Sequence, residues 1–203
     1  MKNVLIGGVP RSGKSTLANL FLRHHGFGVL RGDRIMSSLV RAHPEVNISP
    51  HPTCHEQAVA ERTPYLLMLF RKLSRHDNIP YVIDSTLFSP SFILNDAPDV
   101  ANFAIPVFTG YPDTDLQTKL HDIETYARTN DQCLSHYIKG KKLEEWVEKW
   151  IAQSREMQHQ CHENGFLFVD TSQNFEEKLL LAVQAIMKQN PNQELKATVD
   201  TTP

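Results

Sequence analysis

Residues Val4 to Leu20 read VLIGGVPRSGKSTLANL, and this stretch decides the fold. Val4-Leu5-Ile6 is a short β-type run stopped by Gly7-Gly8, and Leu17, Leu20 and Phe21 recur at helical spacing between Ser15 and Arg23. Strand, tight turn and helix therefore follow one another directly. Between strand and helix, Gly8 to Ser15 spells G-V-P-R-S-G-K-S, which satisfies G-x-x-x-x-G-K-[ST] in the setting that pattern requires. Each fixed position has a physical cause. Glycines let the backbone turn tightly, the N–H groups from Ser12 to Thr16 converge on a concavity, and the helix N-terminus adds partial positive charge. The spacing thus marks Gly8, Arg11, Ser12, Gly13, Lys14, Ser15 and Thr16 as candidates for binding a nucleotide, with Lys14 reaching the β and γ phosphates and the Ser15 hydroxyl ligating Mg2+.

The composition sets bounds around this motif. With 203 residues, of which 40% are apolar and 22% charged, there is material for one ordinary core. The formal net charge of -2 supplies no global basic field for nucleic acid or an anionic membrane, so any anion site must be local. Cys54, Cys133 and Cys161 are odd in number, widely spaced and outside any C-x-x-C pattern, which speaks against a disulfide framework and for a reducing cytoplasm. The polar turn after Ile6 comes too early for a signal peptide, and no apolar run approaches a membrane span.

Beyond the first unit, strands and helices alternate. Gly28-Val29-Leu30 reads as a second strand ending at Gly32-Asp33, with a short helix through Ile35, Leu39 and Val40. Residues 42–55 hold three prolines and three histidines without periodicity and read as a long loop. Ala58, Arg62, Tyr65, Leu66, Leu69 and Leu73 mark a helix, Tyr81-Val82-Ile83 a third strand before Asp84, and Phe103 to Tyr111 a fourth, where Pro106 suggests an edge position or a bulge. A helix through Leu116, Leu120 and Ile123, a polar stretch over 128–142, a long helix from Leu143 to Met157, a fifth strand at Phe166 to Asp170 and a last helix through Phe175, Leu179, Val183 and Ile186 complete the domain, and 189–203 reads as a tail. Such alternation predicts an α/β protein with a parallel sheet, helices on both faces and ligands at the carboxyl ends of the strands.

The acidic residues at strand ends bear on chemistry. Asp84 closes the apolar run YVID and suits the magnesium carboxylate of this class, while its neighbour is Ser85 rather than the glutamate with which hydrolytic motors orient water. No Asn-Lys-x-Asp segment of a regulatory GTPase is present. Asp33, in LRGDRI, projects from the same sheet edge as the loop and is placed to accept the proton of an acceptor hydroxyl; its other reading is a helix N-cap.

Taken together, GVPRSGKST, the strand ending in Asp33-Arg34, the strand ending in Asp84 and the polar insertion after the fourth helix resemble the small P-loop kinases, especially the branch of zeta toxins, chloramphenicol phosphotransferase and gluconate or shikimate kinases. The resemblance covers residues 1–188. It implies a P-loop NTPase three-layer sandwich with a five-stranded parallel sheet of order 2-3-1-4-5, ATP and Mg2+ as the bound nucleotide and metal, and Asp33 as base or acceptor ligand. The segments FTGYPDTDLQTKLHDIETYARTND and QSREMQHQCHENGFLFVDTSQNF are similar to those of bacterial P-loop proteins described only as ATP-binding or adenylate-kinase-like.

In that family's frame, residues 128–142 stand in the lid position, and Arg128 and Arg155 are the cations expected near the phosphates; a solvated helix face is the alternative for each. The insertion 34–78 stands on the acceptor side, where Arg34, Arg41, His51 and His55 are candidate readers of a phosphate or hydroxyl, and Thr86 and Phe88 line the same side. His51, Cys54 and His55 match no standard zinc spacing. Asp170 to Asn174 follows the fifth strand and reads chiefly as a cap for the last helix. Trp146 and Trp150, at i and i+4, read as packing. The leading expectation is an ATP-dependent phosphotransferase acting on a small hydroxyl- or phosphate-bearing molecule; the alternative is a nucleotide-dependent regulatory protein without phosphoryl transfer. Acceptor identity, ATP against GTP and oligomeric state stay open at this level.

Overall fold

The strands of the first half carry apolar residues on both faces, as a sheet covered on both sides demands. In the computed structural model, which describes residues 1–46, 48–49, 54–76, 79–128 and 140–190, five strands form one parallel sheet. They are β1 (Asn3–Gly8), β2 (Gly28–Arg31), β3 (Tyr81–Asp84), β4 (Ala104–Gly110) and β5 (Leu167–Asp170), in the spatial order β2-β3-β1-β4-β5. Eight helices connect them among the described residues: α1 (Lys14–His25), α2 (Gly32–Ala42), α3 (His55–His76), α4 (Pro90–Asn95), α5 (Val100–Phe103), α6 (Leu116–Arg128), α7 (Lys141–Asn164) and α8 (Phe175–Gln189).

The period-two alternation of the strands sorts the core into two layers. Leu5, Ile83 and Phe108 face one side, where they pack with Met36 and Val40 of α2, Leu66 and Phe70 of α3, Ile93 of α4 and Cys161 of α7. Val4, Ile6, Val82, Val107 and Val169 face the other, against Leu17 and Phe21 of α1 and Leu179, Val183 and Ile186 of α8. A third cluster joins α6 to α7 through Leu120, Ile123, Leu143, Val147 and Trp150, and it reaches Val9 of the first loop and Tyr111 after β4. The three-layer arrangement and strand order agree with expectation.

Several local expectations change. β4 is an internal strand, hydrogen-bonded to β1 and β5, so Pro106 does not mark an edge. The reason it is tolerated lies in the register: Pro106 pairs with Leu5 of β1, but the β5 ladder begins only at Val107, so the missing N–H falls where one neighbour is absent. α3 starts at His55 rather than near Ala58 and continues through Pro64. α4 was not foreseen, although Ser89-Pro90 is a helix-start signature: Ser89 Oγ accepts from the Phe92 N–H at 3.2 Å, with Pro90 in the first turn. α8 ends at Gln189, one residue past 188. Asn190 is buried and closes onto the N-terminus, its Nδ2 donating to the Lys2 carbonyl and its Oδ1 accepting from the Lys2 N–H, both at 2.7 Å. The remainder of the expected tail, 191–203, and residues 129–139 of the expected lid lie outside the described residues.

Candidate active site

The carboxyl ends of β1, β2 and β3 lie side by side, and the site grows from their register. β1 delivers Gly8 into the loop, where φ is +142° and a Cβ would lie only 2.3 Å from the Thr109 carbonyl oxygen, so no side chain fits. Gly13 caps α1 at φ +91°, and a Cβ there would lie 2.8 Å from the Phe175 ring. α1 starts at Lys14, so its N-terminal N–H groups open onto the loop, with Ser15 and Thr16 exposed in its first turn. Ser12 is fully buried; its hydroxyl bridges the Val9 carbonyl at 2.8 Å and the Thr109 hydroxyl, fixing the loop to β4.

Lys14 is folded back along the loop. Its Nζ donates to the Val9 carbonyl at 2.7 Å and its side chain is largely buried. Burial lowers its pKa from 10.5 to about 8, partly offset by Asp33 and Asp84 and reinforced by Arg11. Two carboxylates thus sit close enough to Lys14 for their fields to act on it.

Asp84 is the hub of the second group. The Ser15 hydroxyl donates to Asp84 Oδ2 at 2.7 Å, and Arg31 NH1 reaches the same oxygen at 2.7 Å. Strand register places the arginine there, since Arg31 is the direct partner of Asp84 across β2 and β3. Its other terminal nitrogen donates to Asn19 Oδ1 on α1, so one guanidinium ties β2, β3 and α1 together. Sequence reasoning passed over Arg31; an arginine at a strand end beside an acidic one was the available signal.

Asp33 occupies the first turn of α2 and does not cap it; the cap position is Arg31, and no side-chain cap is formed. The carboxylate instead turns across to β3, where Oδ1 accepts the Ser85 hydroxyl at 2.6 Å and the Thr86 N–H at 3.3 Å. The cap reading of Asp33 is therefore replaced by a carboxylate fixed between two strand ends. Capping of α8 by Asp170, Thr171 or Ser172 also fails, because Asn174 holds the cap position without a side-chain bond. Those residues brace loops: Thr171 Oγ1 donates to the Gly110 carbonyl at 2.9 Å and the Ser12 carbonyl at 3.3 Å, and Ser172 Oγ accepts from the Asp113 N–H at 3.0 Å.

The expected cations divide. Arg11 lies with its guanidinium 5.3 Å over the Tyr126 ring of α6. Arg128 is exposed at the end of α6 and has no side-chain partner among the described residues. Arg155 is exposed on α7 and donates from Nε to the Pro112 carbonyl at 3.0 Å, just beyond β4. The structure brings Lys14, Ser15, Asp33 and Asp84 together; it holds Arg11 and Arg155 through other contacts.

Next to the loop opens a cleft of about 1370 Å³. Gly8 to Pro10 line it beside Thr86 to Phe88, α3 supplies one wall with Arg62, and α7 the other with Trp150 and Lys149. Thr86 belongs to both features, since it lines the cleft and donates to Asp33. Arg34 and Arg41 do not line this cleft, whereas His55 does. Trp146 and Trp150 pack edge-on at 5.9 Å and also line the cleft.

The oxygen donors fit a magnesium ion as it is bound with a nucleotide. Mg2+ keeps several waters and takes one or two protein oxygens plus phosphates, and the pairing of Ser15 with Asp84, whose Oδ1 meets no donor among the described residues, offers that set.

No family model matches the sequence, and no curated protein matches it. The three-dimensional comparison does find solved structures of similar fold. A gluconokinase from Sinorhizobium meliloti superposes with a TM-score of 0.53 at 15% identity, over 94% of this chain and 98% of that one. A shikimate kinase from Bacteroides thetaiotaomicron gives 0.52 at 11% identity, over 93% and 98%. The fold is that of the small P-loop kinases. A shikimate kinase from Acinetobacter baumannii, in complex with shikimate, shares this P-loop kinase fold with a TM-score of 0.50 at 14% identity, over 95% and 96%. At such identities the likeness extends to architecture, and the chemistry has to be argued from the residues. Among the described residues no helix of this P-loop kinase fold is long and apolar enough to cross a membrane.

Proposed function

We propose that the protein is a phosphotransferase that moves the γ-phosphate of Mg-ATP to a small hydroxyl- or phosphate-bearing acceptor held in the cleft. The observation that supports this reading is the placement of Asp33: a carboxylate beside the loop, oriented by Ser85 and by Thr86, which itself lines a cleft far larger than a water site. A hydrolase needs only to position water, whereas this cleft has room for an organic acceptor next to a potential base.

In this reading the N–H groups of residues 12 to 16 hold the β and γ phosphates. Lys14 exchanges the Val9 carbonyl for phosphate oxygens, whose negative charge offsets the hydration that burial takes from its ammonium. Ser15 and Asp84 hold Mg2+, which when bound offsets charge on the transferring group. Arg31 keeps Asp84 oriented. Asp33 accepts the acceptor's proton as its oxygen attacks in line, and Ser85 and Thr86 hold the carboxylate ready. Arg128 and Arg155 are the further cations of the proposal: Arg128 leads directly into 129–139, and Arg155 adjoins the turn after β4.

The test is ADP formation from Mg-ATP across nucleosides, nucleotides, sugars, sugar acids and aminoglycosides, with Asp33→Asn in parallel. Acceptor-dependent ADP release reduced about 10² to 10⁴-fold in Asp33→Asn, at unchanged ATP affinity, is the expected result. ATP binding with no acceptor-dependent release would move the assignment to a nucleotide-dependent regulatory protein. Equal rates in Asp33→Asn would remove the carboxylate from the mechanism.

A further inference from the structure

A phosphate-binding loop works by aiming consecutive N–H groups at one point, and what aims them here is visible from the outside of the loop. In a trans peptide the carbonyl of one residue and the N–H of the next point in opposite directions across a rigid plane. Holding a carbonyl outward therefore turns the following N–H inward. Three consecutive carbonyls of the loop are held this way by side chains from elsewhere in the chain. Tyr111 donates its hydroxyl to the Pro10 carbonyl at 2.9 Å, Lys119 donates Nζ to the Arg11 carbonyl at 3.1 Å, and Thr171 reaches the Ser12 carbonyl at 3.3 Å. The N–H groups turned to the other side are those of Arg11, Ser12 and Gly13.

Lys119 is an unusual residue for such a duty. It lies on the apolar side of α6, is 6% exposed, and carries its ammonium 3.9 Å over the Tyr111 ring. A lysine placed there loses most of its hydration, and among the described residues no side-chain carboxylate pairs with it at hydrogen-bond distance. Tyr111 is itself fully buried, with its phenol spent on the loop. The backbone they hold is strained: Arg11 has φ +62°, in the left-handed region that non-glycine residues avoid. Such a conformation persists when its surroundings over-determine it. Here the surroundings are Lys119 on its carbonyl, Tyr126 under its guanidinium, and Tyr111 on the preceding carbonyl.

We propose that Lys119 and Tyr111 are positioning residues of the phosphate site, holding the Arg11 and Pro10 carbonyls outward so that the Arg11 and Ser12 N–H groups face the phosphates before any nucleotide arrives. The inference rests on the reading of residues 8–15 as a phosphate loop. Neither residue touches the phosphates. The link cannot be read along the chain, because Lys119 and Arg11 are 108 residues apart: helical spacing sets Lys119 on the face of Leu116 and Ile123, but not what that face meets. Burial lowers the Lys119 pKa to about 8, with Asp122 opposing and Arg11 assisting, so at pH 7 the side chain is still mostly an ammonium and a charged donor.

The experiment is calorimetric titration of the full-length protein with ADP and, separately, with inorganic tripolyphosphate at pH 7. Wild type, Lys119→Met and Tyr111→Phe are compared, with thermal melts of each variant. Lys119→Met is expected to weaken both ligands about tenfold or more, and Tyr111→Phe, which removes a neutral donor without altering charge, about threefold to tenfold, in proteins that remain folded at the titration temperature. A purely structural role would lower the melting temperature and leave the affinity of the folded protein alone, and that result overturns the proposal. Loss in Lys119→Met with none in Tyr111→Phe would reduce the effect to charge and also overturn it. Should Lys119→Met not fold, Tyr111→Phe decides by the same criterion. If wild type binds neither ADP nor tripolyphosphate, the phosphate-loop reading itself fails, and this inference with it; if wild type binds and both variants match it, only the inference fails.

Discussion

Replacing Lys14 by methionine should make the nucleotide-free protein more stable, and the gain should vanish as pH rises. The ammonium is buried against its own loop, and its pKa falls from 10.5 to about 8. At about 1.36 kcal/mol for each tenfold change, that drop corresponds to about 3 kcal/mol of destabilisation of the folded state while the group is charged. The sign follows from proton binding. Between pH 8 and 10.5 the unfolded chain holds the proton and the folded chain does not, so stability rises with pH there; it is fully regained above 10.5 and lost as pH falls through about 8. At pH 7 the penalty is complete. Methionine keeps the stem and removes the charge, at the loss of one hydrogen bond to the Val9 carbonyl, about 1 kcal/mol. The expected net gain is about 2 kcal/mol, or about 4 to 8 °C in melting temperature for a chain of this size. Urea denaturation of wild type and Lys14→Met at pH 7, 8, 9 and 9.5, without nucleotide, measures it. Lys119 titrates over the same interval but is common to both proteins and cancels in the difference. A Lys14→Met protein no more stable than wild type at pH 7, or a gap constant with pH, would refute the reasoning. Mg-ATP should then raise the melting temperature of wild type and leave Lys14→Met unmoved, since ligand stabilisation requires the site.

Two substitutions probe the frame that holds the site. Gly13→Ala sets a Cβ 2.8 Å from the Phe175 ring at φ +91°, so a loss of about 2 kcal/mol in urea denaturation is expected, and adding Phe175→Ala relieves the clash while leaving the backbone strain. Ser89→Ala removes the acceptor for the Phe92 N–H at the start of α4, with an expected cost of about 1 kcal/mol and no change in nucleotide affinity by calorimetry.

The loop was legible in the sequence because its form is local. Gly8, Gly13, Lys14 and Ser15 lie within one turn and one helix start, so their spacing alone specifies the concavity. Alternating apolar runs likewise specified a covered parallel sheet, since a strand's side-chain period and a helix's differ. Asp33 and Asp84 stood at strand ends and could be marked, but their partners could not. That Asp33 accepts from Ser85, or that Arg31 shares Asp84 with Ser15, depends on which strands are neighbours and in what register, and no short-range pattern carries that. Local rules also misled at Pro106, where the length of β5 decided whether a donor was missed, and at Thr171, whose hydroxyl found distant partners in place of the nearest helix; at Asp33 only the alternative cap reading fell, because its carboxylate turns to Ser85. Contiguity of strand, turn and helix makes the glycine-rich turn at the edge of an α/β sheet a property of the chain's order alone. How that turn is held is a matter of packing between distant elements: Lys119 of α6 and Tyr111 after β4 come onto the carbonyls of the loop, contacts across about a hundred residues that exist because the α6–α7 pair packs against Val9 and Tyr111.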